Sequence, residues 1–185
     1  MRFKRVFKLT TCYKDEKENY IYMIFKKHKY DLYNTLLILS RNLFFYKKIN
    51  LSDNFETRLY LIFIHLSILM IVLKNKGKKF DQNSYDSLFH SIEYNLRELG
   101  FGDVSVNKKM KEFNKIFYDI LLKINKDKKS NFDMNFKLIS SYFNAFEGEN
   151  SEKYIDFNKY FSNFYKFCFG LPADSMISKL IEFKY

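Results

Sequence analysis

Apolar residues return at helical spacing along most of the chain. The clearest run is Tyr85, Leu88, Phe89, Ile92, Leu96 and Leu99, an i, i+3, i+4, i+7 series that puts one apolar stripe on one helix face. Glu93, Asn95, Arg97 and Glu98 fall mostly off that stripe. Gly100 follows the last periodic residue, where a left-handed C-terminal cap favours a residue without Cβ. A second stripe, Met110, Phe113, Phe117, Ile120 and Ile124, predicts another helix that opens at Asn107. The Gly100-Phe101-Gly102-Asp103 stretch between them reads as a tight corner. Phe101, flanked by Gly100 and Gly102, is either tucked under the loop or offered to a partner.

The most apolar stretch is Leu59–Leu73. It is shorter than the ~20 residues a bilayer span needs, and Glu56 and Arg58 precede it while Lys74 and Lys76 follow. The expectation is the central buried helix of a domain rather than a transmembrane segment. His65 and Ser67 within it are then expected to be hydrogen-bonded internally, with His65 a core histidine rather than a catalytic base. Upstream, residues 19–47 read as a helix broken near 29–31, its second part lined by Leu32, Leu36, Leu39, Leu43 and Tyr46. Lys47, Lys48 and Asn50 mark a corner, residues 74–84 a lysine-rich connection containing Gly77, and residues 125–130 a solvated loop. Phe132, Phe136, Ile139, Phe143 and Phe146 keep helical spacing up to Gly148. Ser151 is placed to cap a helix carrying Tyr154, Phe157, Phe161, Phe164 and Cys168, which ends by Gly170. Pro172 opens a last short helix with Met176, Leu180 and Phe183. One proline and five glycines leave little punctuation for a β fold. No repeat or second domain boundary shows. The expected fold is all-α: a single-domain bundle over residues 1–185, with about six to eight helices around a central buried apolar helix.

Hydrophobic content of 47% and aromatic content of 20% argue against a mainly disordered chain. The formal net charge of +11 raises nucleic acid, an anionic membrane or an acidic protein as partners. The excess is mostly lysine, with arginine only at positions 2, 5, 41, 58 and 97. Abundant Lys, Asn, Ile, Tyr and Phe without Trp is also what an A+T-rich genome encodes, which lowers the weight of charge as a functional sign. No arginine cluster for base or phosphate clamping exists beyond the N-terminus. Lys108, Lys109 and Lys111 crowd the expected first turn of the helix after the corner, where the macrodipole disfavours each cation by roughly 0.3–1 kcal/mol. Two readings stay open: lysine spread everywhere by composition, or a surface that meets an anionic partner.

Cys12 and Cys168 form no Cys-x-x-Cys, and His28, His65 and His90 form no metal-ligand spacing. His65, His90, Glu93, Glu98 and Asp103 are available to an enzyme, yet no known catalytic spacing ties them together. The sequence therefore nominates no catalytic residue, no metal site and no cofactor. Residues 1–18 interleave Arg2, Lys4, Arg5 and Lys8 with Phe3, Val6, Phe7 and Leu9 and then turn charged, unlike the apolar core of a secretory signal. They read as either an interfacial segment on an anionic bilayer or an arm docked on the body.

Three blocks within residues 51–121 resemble the ubiquinol–cytochrome c chaperone family, assembly factors for cytochrome b of the bc1 complex. In LSDNFETRLYLIFIHLSILMIVL, Asp53, Arg58 and His65 match that family's Asp-x4-Arg-Phe pattern and apolar helix with a histidine, Leu59 standing where Phe is usual. In DSLFHSIEYNLRELGFGDVSV, Leu96, Arg97, Glu98, Gly100, Gly102 and Asp103 match the family's Leu-Arg-Glu-Met-Gly-Val-Gly-Asp corner, with Leu99 for Met and Phe101 for Val. In NKKMKEFNKIFYDIL, Lys108, Met110, Lys111, Phe117 and Tyr118 match Pro-Lys-x-Met-Lys followed by Phe-Tyr, with Asn107 for the proline. The resemblance implies a non-enzymatic, α-helical chaperone that binds cytochrome b. At this length it implies a short bacterial-type member, cytoplasmic and peripheral to the inner membrane. It also raises a small partner protein and the ribosome as further contacts, as in mitochondrial relatives. The expected partner-binding residues are Arg97, Phe101, Asp103, Lys108, Lys109 and Lys111. Asp53, Arg58, His65, Gly100 and Gly102 are expected to be mainly structural, with Asp103 accepting backbone N–H groups of the turn and Arg58 pairing with Asp53 or Glu56. The alternative reading is a basic RNA- or ribosome-binding protein, with steep salt dependence and little sequence preference.

Overall fold

The computed structural model describes residues 31–125 and 132–185. Seven α-helices form among them: α1 (Asp31–Ser40), α2 (Phe55–Asn75), α3 (Gln82–Glu98), α4 (Asp103–Lys123), α5 (Phe136–Tyr142), α6 (Glu152–Gly170) and α7 (Met176–Lys179). The fold is all-α, as the periodicity predicts. The segment 1–18, Cys12, His28, any helix before Asp31 and residues 126–130 of the polar loop lie outside the described residues.

The apolar run becomes α2, the axis of the bundle, with α1, α4 and α6 packed around it. Asn54 opens it by accepting a 2.8 Å hydrogen bond from the Thr57 amide, leaving one fewer orphan N–H in the first turn. Glu56 in the first turn and Lys74 in the last both suit the helix dipole. The helix stops where Gly77 adopts φ +70°. There the Lys78 amide reaches the Leu73 carbonyl and the Gly77 amide the Lys74 carbonyl, both at 3.0 Å. Every side chain from Leu61 to Leu69 is buried, so the helix has neighbours on all sides. Phe63 meets Phe89 of α3 at 5.9 Å and Phe117 of α4 at 5.4 Å between ring centroids. Tyr60 meets Tyr142 of α5 at 5.2 Å, and His65 meets Phe161 and Phe164 of α6 at 4.8 Å each. Among the described residues α2 alone is long and apolar enough to cross a membrane, and 72% of that window is buried inside the fold. A core helix is what the flanking charges predict.

Lys76 joins the far end of this axis to α6. Its ammonium donates to the Phe169 carbonyl at 2.6 Å and to the Leu171 carbonyl at 2.8 Å, and sits 5.0 Å over the Phe169 ring. A cation is thereby set on the negative end of α6, where the dipole favours it. Nearby Cys168 is buried, and desolvation pushes its thiol up to about 12. It is a packing residue, not a nucleophile.

Three elements differ from the sequence expectation. The stripe from Leu32 to Tyr46 does not make one helix: α1 ends at Ser40, and a π-helical turn follows at Phe44–Lys48. The Asn42 side chain takes the Phe44 amide at 3.0 Å, and Tyr46 donates its hydroxyl back to the Ser40 carbonyl at 2.7 Å. This local bonding competes with helix continuation and carries Phe45 fully into the core. The stripe from Phe132 to Phe146 contains only a short α5, capped by Asn135 through the Leu138 amide. Phe132 and Met134 precede it in an extended stretch: Met134 bridges to Asn125, and Asn158 of α6 accepts the Met134 amide at 3.2 Å. The last helix is a 3-10 turn, the one-turn α7 and a second 3-10 turn. Met176 and Leu180 are buried as their spacing predicts.

Candidate functional site

The corner forms where α3 runs out. Leu96, Arg97 and Glu98 complete its last turn, Leu99 is the cap residue, and Gly100 turns left-handed at φ +90°. The Gly100 amide then reaches the Arg97 carbonyl at 2.9 Å, and the Phe101 amide reaches the Leu96 carbonyl at 3.2 Å. This double closure satisfies two orphan carbonyls and needs a residue without side-chain clash at Gly100. Nothing lies within 4 Å of where a Cβ would stand on Gly100, so the demand is conformational alone. Gly100→Ala is expected to lower stability by about 1–2 kcal/mol, read as a shift of the urea midpoint with unchanged slope.

Two positions correct the sequence reading. Leu99, expected on the buried stripe, is 48% exposed because it lies at the helix cap and swings off the core face. The following helix opens at Asp103, not Asn107, with Gly102 as its extended N-cap. Lys108, Lys109 and Lys111 therefore lie beyond the first turn. The acid Asp103 occupies that turn, where the dipole favours it, and the expected cation penalty does not arise.

Arg97 locks this geometry. One guanidinium nitrogen donates to Asp103 Oδ1 across the corner, and another donates to Glu93 Oε1 at 2.7 Å one turn back in α3. The two carboxylates raise the Arg97 pKa further, Glu93 first and Asp103 second. Asp103 thus accepts from a side chain of the preceding helix, where the sequence suggested backbone amides. Glu93 is the partner that sequence reasoning left out of the corner; its i, i+4 spacing to Arg97 was the available signal.

The expected binding lysines divide between two places. Lys109 folds inward, its ammonium 5.1 Å over the Phe101 ring and 5.9 Å over that of Phe113. Phe101 is 38% exposed, so its ring is a half-open platform with a cation on it. Lys108 and Lys111 point outward and make no ion pair among the described residues. The corner unites Arg97, Phe101, Asp103 and Lys109, with Gly100 and Gly102 as its hinges. It does not gather all three lysines.

The other matched residues lie elsewhere and are structural in their contacts. Arg58 donates to Asp53 Oδ1 at 2.7 Å at the entrance of α2; such a partly exposed pair contributes ~0–1 kcal/mol. His65 is fully buried, with Nδ1 2.7 Å from the Leu61 carbonyl and Nε2 3.2 Å from the Tyr160 hydroxyl. A carbonyl only accepts, so Nδ1 carries the proton and Nε2 accepts from Tyr160. Desolvation pushes the imidazole pKa down to about 4, so it is neutral near pH 7. Ser67, also buried, has no hydrogen-bond partner for its hydroxyl among the described residues, contrary to expectation. His90 lies 3.6 Å from the second oxygen of Glu93 on the surface, the first being held by Arg97. Among the described residues no three His, Cys, Asp or Glu side chains come together to hold a metal. A depression at the start of α6, lined by Ala145, Glu147, Ser151, Glu152 and Lys153, contains none of the candidate residues nominated from the sequence.

Fold and site together define a helical protein built around one buried apolar helix, presenting a braced, cation-bearing corner on its surface. Residues 47–155 match the family model described as ubiquinol-cytochrome C chaperone. That is more than half of the chain, and the protein belongs to this family. The match extends beyond residues 51–121 on both sides, taking in α5 and the start of α6. No curated protein and no solved structure matches the chain.

Proposed function

We propose that the protein is an assembly chaperone that binds cytochrome b and assists assembly of the ubiquinol–cytochrome c reductase complex, acting by binding rather than by catalysis. The family match over residues 47–155 carries this reading. Within the matched region lies the corner, with Phe101 half-open, Lys109 over it, and Leu99 and Val104 exposed beside it. A chaperone of a membrane-inserted subunit needs apolar contacts for its client next to cations. In this reading the protein works in the cytoplasm, peripheral to the inner membrane, with a net charge of +11 to hold it near anionic headgroups.

The test is a pull-down of tagged protein from gently solubilised membranes, read by mass spectrometry. Cytochrome b should be recovered with the native chain and lost with the triple variant Lys108→Glu, Lys109→Glu, Lys111→Glu, while circular dichroism of the variant stays native. Recovery of ribosomes or RNA alone, released by moderate salt, would replace this reading with the nucleic-acid one.

A further inference from the structure

Lys108 and Lys111 belong to a longer feature. The outermost line of α4 runs Val104, Lys108, Lys111, Lys115, Tyr118 and Leu122, spaced alternately four and three, and all six are exposed. The opposite side of the helix carries Val106, Phe113, Phe117 and Ile120 into the core. Spacing of this kind keeps side chains in one straight row, here about five turns and about 27 Å long. The row has an apolar start at Val104, 85% exposed, and an apolar end at Tyr118 and Leu122, 51% and 68% exposed. Between them stand three lysines. Three of the described lysines off this row pair with acids: Lys48 with Asp156, Lys78 with Asp174 and Lys123 with Asp119. The three in the row make no ion pair among the described residues. Asp119, one turn beyond Lys115, is already taken by Lys123 and by the Tyr142 hydroxyl, and exposed Glu112 beside the row makes no ion pair among the described residues.

From this geometry we infer that the ridge of α4 docks an acidic amphipathic helix of a protein partner. Acids on that helix, at the same alternating spacing, face Lys108, Lys111 and Lys115, and apolar residues at its two ends cover Val104 and the Tyr118–Leu122 pair. A row in heptad-like register suits a rod with the same period. A nucleic-acid backbone has no use for apolar groups at both ends of a lysine row, and a lipid surface, which can take cations and apolar groups together, imposes no such register. The inference deepens the chaperone reading and rests on it for the existence of a protein partner.

The test uses the full chain and two labelled synthetic peptides. One is a 21-residue helix with glutamates at alternating three- and four-residue spacing between leucine-bearing ends. The other is a scramble of the same composition. Fluorescence anisotropy should show the in-register peptide binding about tenfold or more tighter than the scramble. Lys115→Glu should weaken it about tenfold. Leu122→Ser, which leaves the charge unchanged, should also weaken it several-fold, with both variants keeping the native circular dichroism spectrum. Equal affinity for the two peptides overturns the inference, as does indifference to Leu122→Ser, or binding of phosphatidylglycerol vesicles or polyuridylate without any preference between peptides. Lys115 and Leu122 are not among the residues changed in the cytochrome b test, and both readouts are taken on the native chain as well. Loss of peptide preference with cytochrome b still recovered therefore sinks the docking row alone, and the converse result sinks the client assignment alone.

Discussion

Replacing Phe161 with alanine is expected to remove about 3–5 kcal/mol of stability, a large part of the ~5–15 kcal/mol typical of a domain. The ring is fully buried and sits where α6 meets both α2 and the π-helical turn. Its centroid lies 4.8 Å from His65, 4.9 Å from Phe157, 4.9 Å from Tyr160 and 5.7 Å from Phe45. Truncation loses the transfer free energy of the ring and leaves a void that four rigid neighbours on three elements cannot close by small shifts. Urea unfolding followed by circular dichroism should show the midpoint falling with little change in slope. Leu122→Ala, on the outer ridge of α4, should change stability by no more than about 0.5 kcal/mol. If the two variants lose similar amounts, the assignment of core and surface on α4 and α6 is wrong.

Lowering the pH should destabilise the native protein through His65. Its pKa is pushed down from an ordinary 6.5 to about 4 by burial, with the bond to the Leu61 carbonyl only partly offsetting this. Above pH 6.5 the imidazole is neutral whether the chain is folded or unfolded, and it adds no pH dependence. Between pH 6.5 and 4 the unfolded chain takes up a proton that the folded core refuses, so stability falls as pH falls. The accumulated loss by about pH 4 is on the order of 3 kcal/mol. His65→Gln replaces the imidazole with an amide whose oxygen can accept from Tyr160 and which cannot titrate. That variant is expected to be less stable at pH 7, because its shape fits the ring-lined site poorly, but its stability should decline about 3 kcal/mol less across the same window. Parallel curves for the two proteins would mean that His65 is not held neutral in the core.

What was legible in the sequence was local. The uninterrupted apolar run with charges at both ends marked α2, and Gly100 marked the end of α3, because both signals lie within one turn of the residues they govern. The start of α4 was missed for a local reason as well. Its N-cap is Gly102, which has no side chain to announce a cap, and the acid that does announce it, Asp103, looked like part of the turn. The role of Asp103 was hidden because its partner, Arg97, belongs to the preceding helix. Phe132 kept helical spacing yet lies in an extended stretch, since backbone amides of Asp133 and Met134 bond to the Asn125 and Asn158 side chains and no periodicity reports this. The split of the lysines, Lys109 over Phe101 and Phe113 and the others outward, depended on where α4 began, and so it could be seen only with the helix in register.

The bond between His65 and Tyr160 joins residues 95 positions apart. On a ribosome adding roughly 5–20 residues per second, roughly 5–20 s separate synthesis of the middle of α2 from synthesis of the α6 face that covers it. For that interval the nascent chain carries a helix with the length and hydropathy of a membrane span, while α3 and α4, made sooner, shield only its other sides. The growing chain thus passes through the same hazard as a membrane protein in synthesis. Slow elongation before α6 should raise the fraction that aggregates or strays into the bilayer.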